Sequence, residues 1–356
     1  NLFKNKLYSA INILGLAVGL GACLMLILFI IDESHYDQFW TDADNIYRIE
    51  SSIKSPGNDP WANGNVSGKA KQALLNYFSE EVSTATRFVE EYPIITVGEN
   101  VFEEPIYLTD PATADIFDIE VLAGDLRQTL TDNRSIALSQ ELAIKYYGST
   151  DVIGQVLTIA QSNSKHDYRV GAVYKKLPRN TVISFNALIK LNEDDFTEQP
   201  WMFNNWLAPR TTTYFKLKPA GDIENINQHL VSLVSDNVAV PDYWADNYSI
   251  ATEFFSLATL PIQDVYLNYP NKKSNLILFA AIAVLIVVIA CINFTNLSIA
   301  RSTRRAREVA MRKVVGASQK QLIIQFLGET LFIALIALVV GVALAELLMP
   351  AYNNFL

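Results

Sequence analysis

Seven cationic side chains, Arg301, Arg304, Arg305, Arg307, Arg312, Lys313 and Lys320, crowd one short stretch whose single acid is Glu308. The chemistry open to such a stretch is that of charge: it lies on anionic lipid or docks on a partner. The rest of the chain offers little that reacts. Its three histidines, His35, His166 and His229, have no ligand-like spacing, so no zinc site is expected. The acidic clusters Glu103-Glu104 and Glu193-Asp194-Asp195 lack a calcium-loop pattern and read as solvated loops. There is no G-x-S-x-G elbow, and no glycine-rich loop closing on Lys-Ser or Lys-Thr. No catalytic residue, metal site or cofactor is therefore expected.

The elements that position the basic stretch are apolar. Residues 7–31, 276–300 and about 322–349 form three runs, the first two free of charge. Each is long enough to span a hydrocarbon core of about 30 Å at about 1.5 Å per helical residue. Short loops rich in Lys and Arg stay inside, so residues 1–6, with Lys4 and Lys6, and residues 301–321 are expected to be cytoplasmic. Residues 32–275 then lie outside. The net charge of −9 hides this division: Asp32 to Lys273 carries 34 acids and 19 bases. No basic patch survives in that region, which argues against a nucleic-acid partner. Cys23 and Cys291 both sit in apolar runs, so the outer region has no disulfide to form.

Within the basic stretch the pattern is helical. Arg301, Arg305, Glu308 and Arg312 share one face, and Ala306, Val309, Ala310 and Val314 another. Gly316 is the expected C-cap, and Ser318 with Gln321 reads as a capping box that opens the next helix. Gly15 and Gly19 form a G-x-x-x-G spacing suited to close helix packing. Glu329 and Glu346 lie near the two ends of the third run, where water can reach them.

The outer region reads as α+β. Residues 46–53, 84–90, 94–97 and 105–108 are expected strands, and 67–78 a helix burying Ala70, Ala73, Leu74 and Tyr77. A similar unit follows late: strand 212–217, helix 222–235 capped by Asp222, and strand 250–257. Between them, about residues 110–208 form an insert with a helix from Ser139 to Tyr147, stopped by Gly148, and strands 156–160 and 168–174. Trp201, Trp206, Tyr243 and Trp244 are expected to be core or edge packing.

Several phrases carry a family resemblance. Glu308-Val-Ala-Met-Arg-Lys-Val-Val-Gly-Ala-Ser318, followed by Gln325-Phe-Leu-Gly-Glu-Thr330, resembles the cytoplasmic signature of MacB/FtsX-type (type VII) ABC transporter permeases. Asn12 to Leu20 resembles the first helix of that family. Asp110-Pro-Ala-Thr-Ala-Asp-Ile-Phe-Asp118, Leu138 to Gly148 and Tyr168 to Tyr174 resemble its periplasmic core domain. The resemblance implies a Porter unit with a Sabre insert, carried on transmembrane helices in a bacterial inner membrane. It implies a non-catalytic permease that couples ATP hydrolysis by a separate ATPase to movement of the outer domain, for export or envelope remodelling. It places the ATPase contact at Arg305, Glu308, Arg312, Lys313, Gly316 and Ala317. It also implies a second permease copy, or a second half of a longer chain, and a periplasmic membrane-fusion protein as partners. The family unit has a fourth membrane helix that these residues do not include. A membrane-anchored extracytoplasmic sensor without an ATPase is the competing class.

Overall fold

The structure, a computed structural model, describes residues 6–161, 164–315 and 318–355, with the backbone alone given for 6–9, 161, 164, 298, 301–308, 312 and 354–355. It forms two compact units, one of residues 1–35 with 267–356 and one of residues 36–266.

The first unit is helical. α1 spans Lys6–Ser34. In the second unit, β1 (Ile46–Ile53), β2 (Trp61–Asn63), α2 (Ala70–Tyr77), β3 (Val82–Glu91), β4 (Ile94–Val97), β5 (Asn100–Glu103) and β6 (Ile106–Thr109) follow. Next come α3 (Thr113–Ile116), β7 (Val121–Gly124), α4 (Leu126–Thr129), β8 (Ser135–Ser139), α5 (Gln140–Tyr147), β9 (Val156–Gln161) and β10 (Ser164–Tyr174). β11 (Ala187–Lys190), α6 (Trp201–Asn204), β12 (Thr212–Leu217), α7 (Ile223–Asn237), β13 (Phe255–Pro261) and α8 (Ile262–Asn268) complete the outer elements. The chain then returns to the first unit through α9 (Lys272–Val314) and α10 (Gln319–Phe355). α1, α9 and α10 are each long and apolar enough to cross a membrane.

The outer unit is one mixed sheet with strand order β13-β1-β12-β3-β6-β11-β8-β10-β9-β4-β5. The early and late β-α-β units do not stand side by side. They interleave, because β1 pairs antiparallel with both β12 and β13, and β12 pairs with β3. Counted in chain order this is 4-1-3-2, the split β-α-β arrangement. α2 and α7 cover one face of it, burying Leu74, Phe78, Ile226, Leu230 and Leu233 against Ile49, Phe215 and Phe255. β3 pairs with β6 and so joins this half to the other half of the sheet. There α5 buries Leu142 and Tyr146 over Ile136, Leu138 and Val170. A third apolar cluster, with Phe88, Phe117, Leu130, Tyr174 and Tyr214, takes residues from both halves of the sheet.

The helix caps explain where elements begin and stop. The Ser139 hydroxyl accepts from Leu142 N–H at 3.2 Å, and the Asp222 carboxylate accepts from Glu224 N–H at 2.9 Å. Gly148 ends α5 at φ 71°, a left-handed position that glycine fills without strain.

Four expectations need correction. The helix expected from Ser67 starts at Ala70, because the Ser67 hydroxyl accepts from Lys69 N–H at 3.2 Å in a preceding turn. Its buried aromatic is Phe78, while Tyr77 is exposed. The strand expected from Ile250 starts at Phe255, because the Glu253 carboxylate accepts from Ser249 and Ile250 N–H at 2.7 and 3.3 Å and closes a 3-10 turn. And β4 and β5, which precede residue 110, lie at the far edge of the sheet, where β4 pairs with β9, a strand of the expected insert, and β5 pairs with β4.

Candidate functional site

In the helical unit, α1 packs on both other helices. Leu16, Ala17, Ala290 and Ala337 are buried together. Small residues set the spacing there. A Cβ placed on Gly19 falls 2.7 Å from Ala290 Cβ on α9, and one on Gly21 falls 3.0 Å from the Gly341 carbonyl oxygen on α10. A Cβ on Gly341 falls 2.9 Å from the Ala17 carbonyl oxygen. These approaches are possible only without side chains. A Cβ on Gly15 meets only Asn293 Nδ2, at 3.6 Å, which is ordinary contact. The tight seam therefore runs through Gly19, Gly21 and Gly341. Next to the outer unit in sequence, Glu33 and Lys272 pair at 3.5 Å and join α1 to α9.

At the basic end, α9 continues without a break from the apolar span to Val314. Ser318 and Gln321 make the expected capping box: Ser318 N–H donates to Gln321 Oε1 at 3.1 Å, and Gln321 N–H to the Ser318 hydroxyl at 3.4 Å. Met311, Lys313, Val314 and Val315 are exposed around this corner. Gly316 and Ala317, and the side chains of Arg305, Glu308 and Arg312, lie outside the described residues.

The sheet unit holds an ionic cluster centred on β3 and the residue that follows β6, the two strands that join its halves. Arg87 on β3 is nearly buried and gives Asp110 three bonds: backbone N–H at 2.9 Å, Nε at 3.1 Å and Nη2 at 2.9 Å. Lys71 Nζ reaches the same carboxylate at 2.8 Å. Arg87 Nη1 donates to the Gly68 carbonyl at 3.2 Å and to Glu193 at 2.6 Å. Its guanidinium also lies 5.5 Å from the centre of the Phe203 ring. Beneath it, Thr113 sits 2.6 Å from the Thr86 hydroxyl and 2.5 Å from that of Thr109.

Burial alone would push Asp110 up, but hydrogen bonds and charge from Arg87, then Lys71, hold its carboxyl below the usual range. Burial would push Arg87 down, and Asp110 with Glu193 holds it up. Asp37, elsewhere in the unit, is raised by burial although Thr181, Val182 N–H and Trp40 all donate to it. A groove of about 530 Å³ opens over Arg87.

In the sequence Asp110 stands out only within a phrase of family resemblance, and Arg87 only falls inside the expected strand 84–90. The signal was a lone arginine inside Ala85-Thr86-Arg87-Phe88-Val89, a segment otherwise neutral and mostly apolar. Of the four aromatics singled out, Trp206 is buried and Trp244 packs against the same core, whereas Trp201 and Tyr243 are exposed. Among the described residues no group of three His, Cys, Asp or Glu is placed to hold a metal.

Comparison with known proteins gives these features a context. Residues 9–233 match the MacB-like periplasmic core domain, and residues 280–356 match the FtsX-like permease C-terminal domain. A Bacillus subtilis protein, described as the uncharacterized ABC transporter permease YknZ, is 19% identical over 97% of this chain and 83% of its own length. The macrolide export ATP-binding/permease protein MacB of Campylobacter jejuni is 31% identical over 84 residues, which is 24% of this chain and 13% of that protein. A crystal structure of a permease-protein domain from Porphyromonas gingivalis aligns with a TM-score of 0.50 and 25% identity, covering 62% of this chain and 91% of that domain.

Proposed function

This chain belongs to the family of ABC transporter permeases with a MacB-like periplasmic core domain and an FtsX-like membrane region, and we propose that it couples ATP hydrolysis on a separate polypeptide to movement of its outer domain. As a member it is an inner-membrane protein with a large extracytoplasmic domain. The direction of work on this reading is outward, as export or envelope remodelling.

The observation that carries the proposal is the length of α9. Its 43 residues, at about 1.5 Å each, make a single rod of about 65 Å. Three residues separate the rod in sequence from the last outer helix, and it ends in the basic segment. A helix without interior Pro or Gly moves as a rigid body. Arg305, Glu308, Arg312, Lys313, Gly316 and Ala317 would meet the ATPase. A second copy of the permease, or a second half of a longer chain, and a periplasmic membrane-fusion protein complete the proposed assembly.

The test separates contact from transmission. Arg312→Glu and Lys313→Glu should release the co-purifying ATPase while membrane insertion persists. Replacing Val287-Val288 by Pro-Gly should leave the ATPase bound but uncouple it, since an interior proline costs a helix about 3 kcal/mol or more. ATP-dependent cross-linking between outer domains that survives unchanged in the kinked variant refutes the rod. Retention of the ATPase by both charge reversals refutes the contact.

A further inference from the structure

We propose that the groove over Arg87 is a binding site for an organic carboxylate that carries an amide and an apolar group, with Glu193 as its displaceable internal stand-in. The inference does not depend on coupling to an ATPase, and its test contains no nucleotide.

The groove is built at the joint of the sheet unit. One wall is α2, presenting Lys71, Gln72 and Asn76. The other is formed by Phe203 and Asn204 of α6. Arg87 lines it from β3, the strand shared by both halves. Its volume of about 530 Å³ lies within the span of small-molecule sites, roughly 300–1,000 Å³.

Charge selects the ligand class. The region from Asp32 to Lys273 carries 34 acids and 19 bases, yet Lys69, Lys71 and Arg87 converge on this groove. Asp110 answers Lys71 and one edge of Arg87, and it is itself buried. The remaining edge of Arg87 faces Glu193, whose side chain is 53% exposed while that of Arg87 is 9% exposed. A half-exposed carboxylate on a buried guanidinium at 2.6 Å is a weakly held partner on a strongly held cation. Another carboxylate can take its place and gain Lys71 as well.

The remaining lining selects a carboxylate with neighbours over a bare anion. Gln72, Asn76, Asn204 and Asn237 offer amide donors and acceptors, and Phe203 with Trp206 offers aromatic surface. The frame is held in place. A Cβ on Gly68 would fall 2.4 Å from Phe203 Cδ1, so the chain passes against this ring only as glycine, and the Gly68 carbonyl fixes Arg87.

The experiment titrates the full chain in lipid nanodiscs by calorimetry. The probes are N-acetylphenylalanine, its carboxamide and inorganic phosphate. The acid should bind, and the carboxamide and phosphate should bind at least about tenfold more weakly, the scale of a charge-assisted hydrogen bond. Lys71→Gln should weaken the acid roughly tenfold, whereas Glu193→Gln should tighten it about threefold, because the competing carboxylate of a half-exposed ion pair is gone. Glu193→Gln alters a surface side chain, so it keeps the test decisive if Lys71→Gln unfolds. A decapeptide ending in a free phenylalanine carboxylate, compared with the short acid, distinguishes a chain end from a free small molecule; either preference upholds the site. Equal binding of acid and carboxamide, no heat from the acid, or unchanged or weaker binding in Glu193→Gln overturns it.

Discussion

Adding one methyl group at Gly341 should loosen the helical unit, and the same addition at Gly328 should not. Both glycines lie on α10, and replacing either by alanine brings the same gain in helix propensity, about 1 kcal/mol in aqueous hosts. Their surroundings differ. The new Cβ at Gly341 falls 2.9 Å from the Ala17 carbonyl oxygen and 3.3 Å from both Gly21 N and Leu20 Cβ, whereas at Gly328 nothing lies within 4 Å. Backbone cannot swing aside as a flexible side chain does, so α1 and α10 must separate. Overpacking of this kind costs about 1–3 kcal/mol, a shift of roughly 5- to 150-fold in the ratio of packed to separated helices. Propensity cancels when the two alanine variants are compared, leaving the contact alone. Unfolding of the purified protein by titration of mixed micelles with SDS measures the difference. A Gly341→Ala variant within about 0.5 kcal/mol of Gly328→Ala, the scatter expected of benign surface changes, refutes the packing argument.

Gly19→Ala should behave like Gly341→Ala, since its Cβ meets Ala290 at 2.7 Å, and Gly15→Ala should be tolerated in the same titration. With Cys23 and Cys291 replaced by alanine, cysteines at Glu99 and Ser318 should react oppositely with an impermeant thiol reagent on whole cells, because both are exposed and topology puts them on opposite sides of the membrane; labelling of both would refute the orientation. Asp110→Asn should destabilise the sheet unit by about 3–5 kcal/mol, read as a lower melting temperature, because it strands Arg87 in a buried site. The same variant should flatten the acid limb of stability. Asp110 has a folded value below its unfolded value of about 3.9, so its contribution is complete above that pH and is lost as pH falls through the folded value. An acid limb identical to that of the parent would show that another group titrates there.

What the sequence made legible was what is written locally. Apolar runs mark α1, α9 and α10 because a membrane span must be uniformly apolar over its whole length. Ser139, Asp222, Gly148 and the Ser318–Gln321 box mark helix ends because a cap acts within three residues of itself. Partnership across the sheet is not local. β4 was readable as a strand, but nothing in Ile94-Ile-Thr-Val97 says that its neighbour is β9, since a short alternating strand fits many partners equally. For the same reason the interleaving of β1 between β12 and β13 was hidden. The ionic cluster lay between these cases. Arg87 and Asp110 are 23 residues apart, and only the pairing of β3 with β6 brings them together. A lone arginine within a strand was a sign that some carboxylate must be found for it.

The seam also bears on how movement would pass through the helices. Gly19 and Gly21 are two residues apart, so they face about 200° from one another around α1. One face therefore meets α9 at Ala290 and the other meets α10 at Gly341, and α1 stands between them. Contacts between small residues present low ridges, and helices that touch through low ridges can shift along one another with little repacking. Bulky interdigitated side chains would instead lock the register. On the proposed coupling, α9 is the helix that carries motion from the basic end, and its outer end is tied to α1 by the Glu33–Lys272 pair. On that proposal, a smooth contact at Gly19–Ala290 with a tether at one end would let α9 tilt about that end.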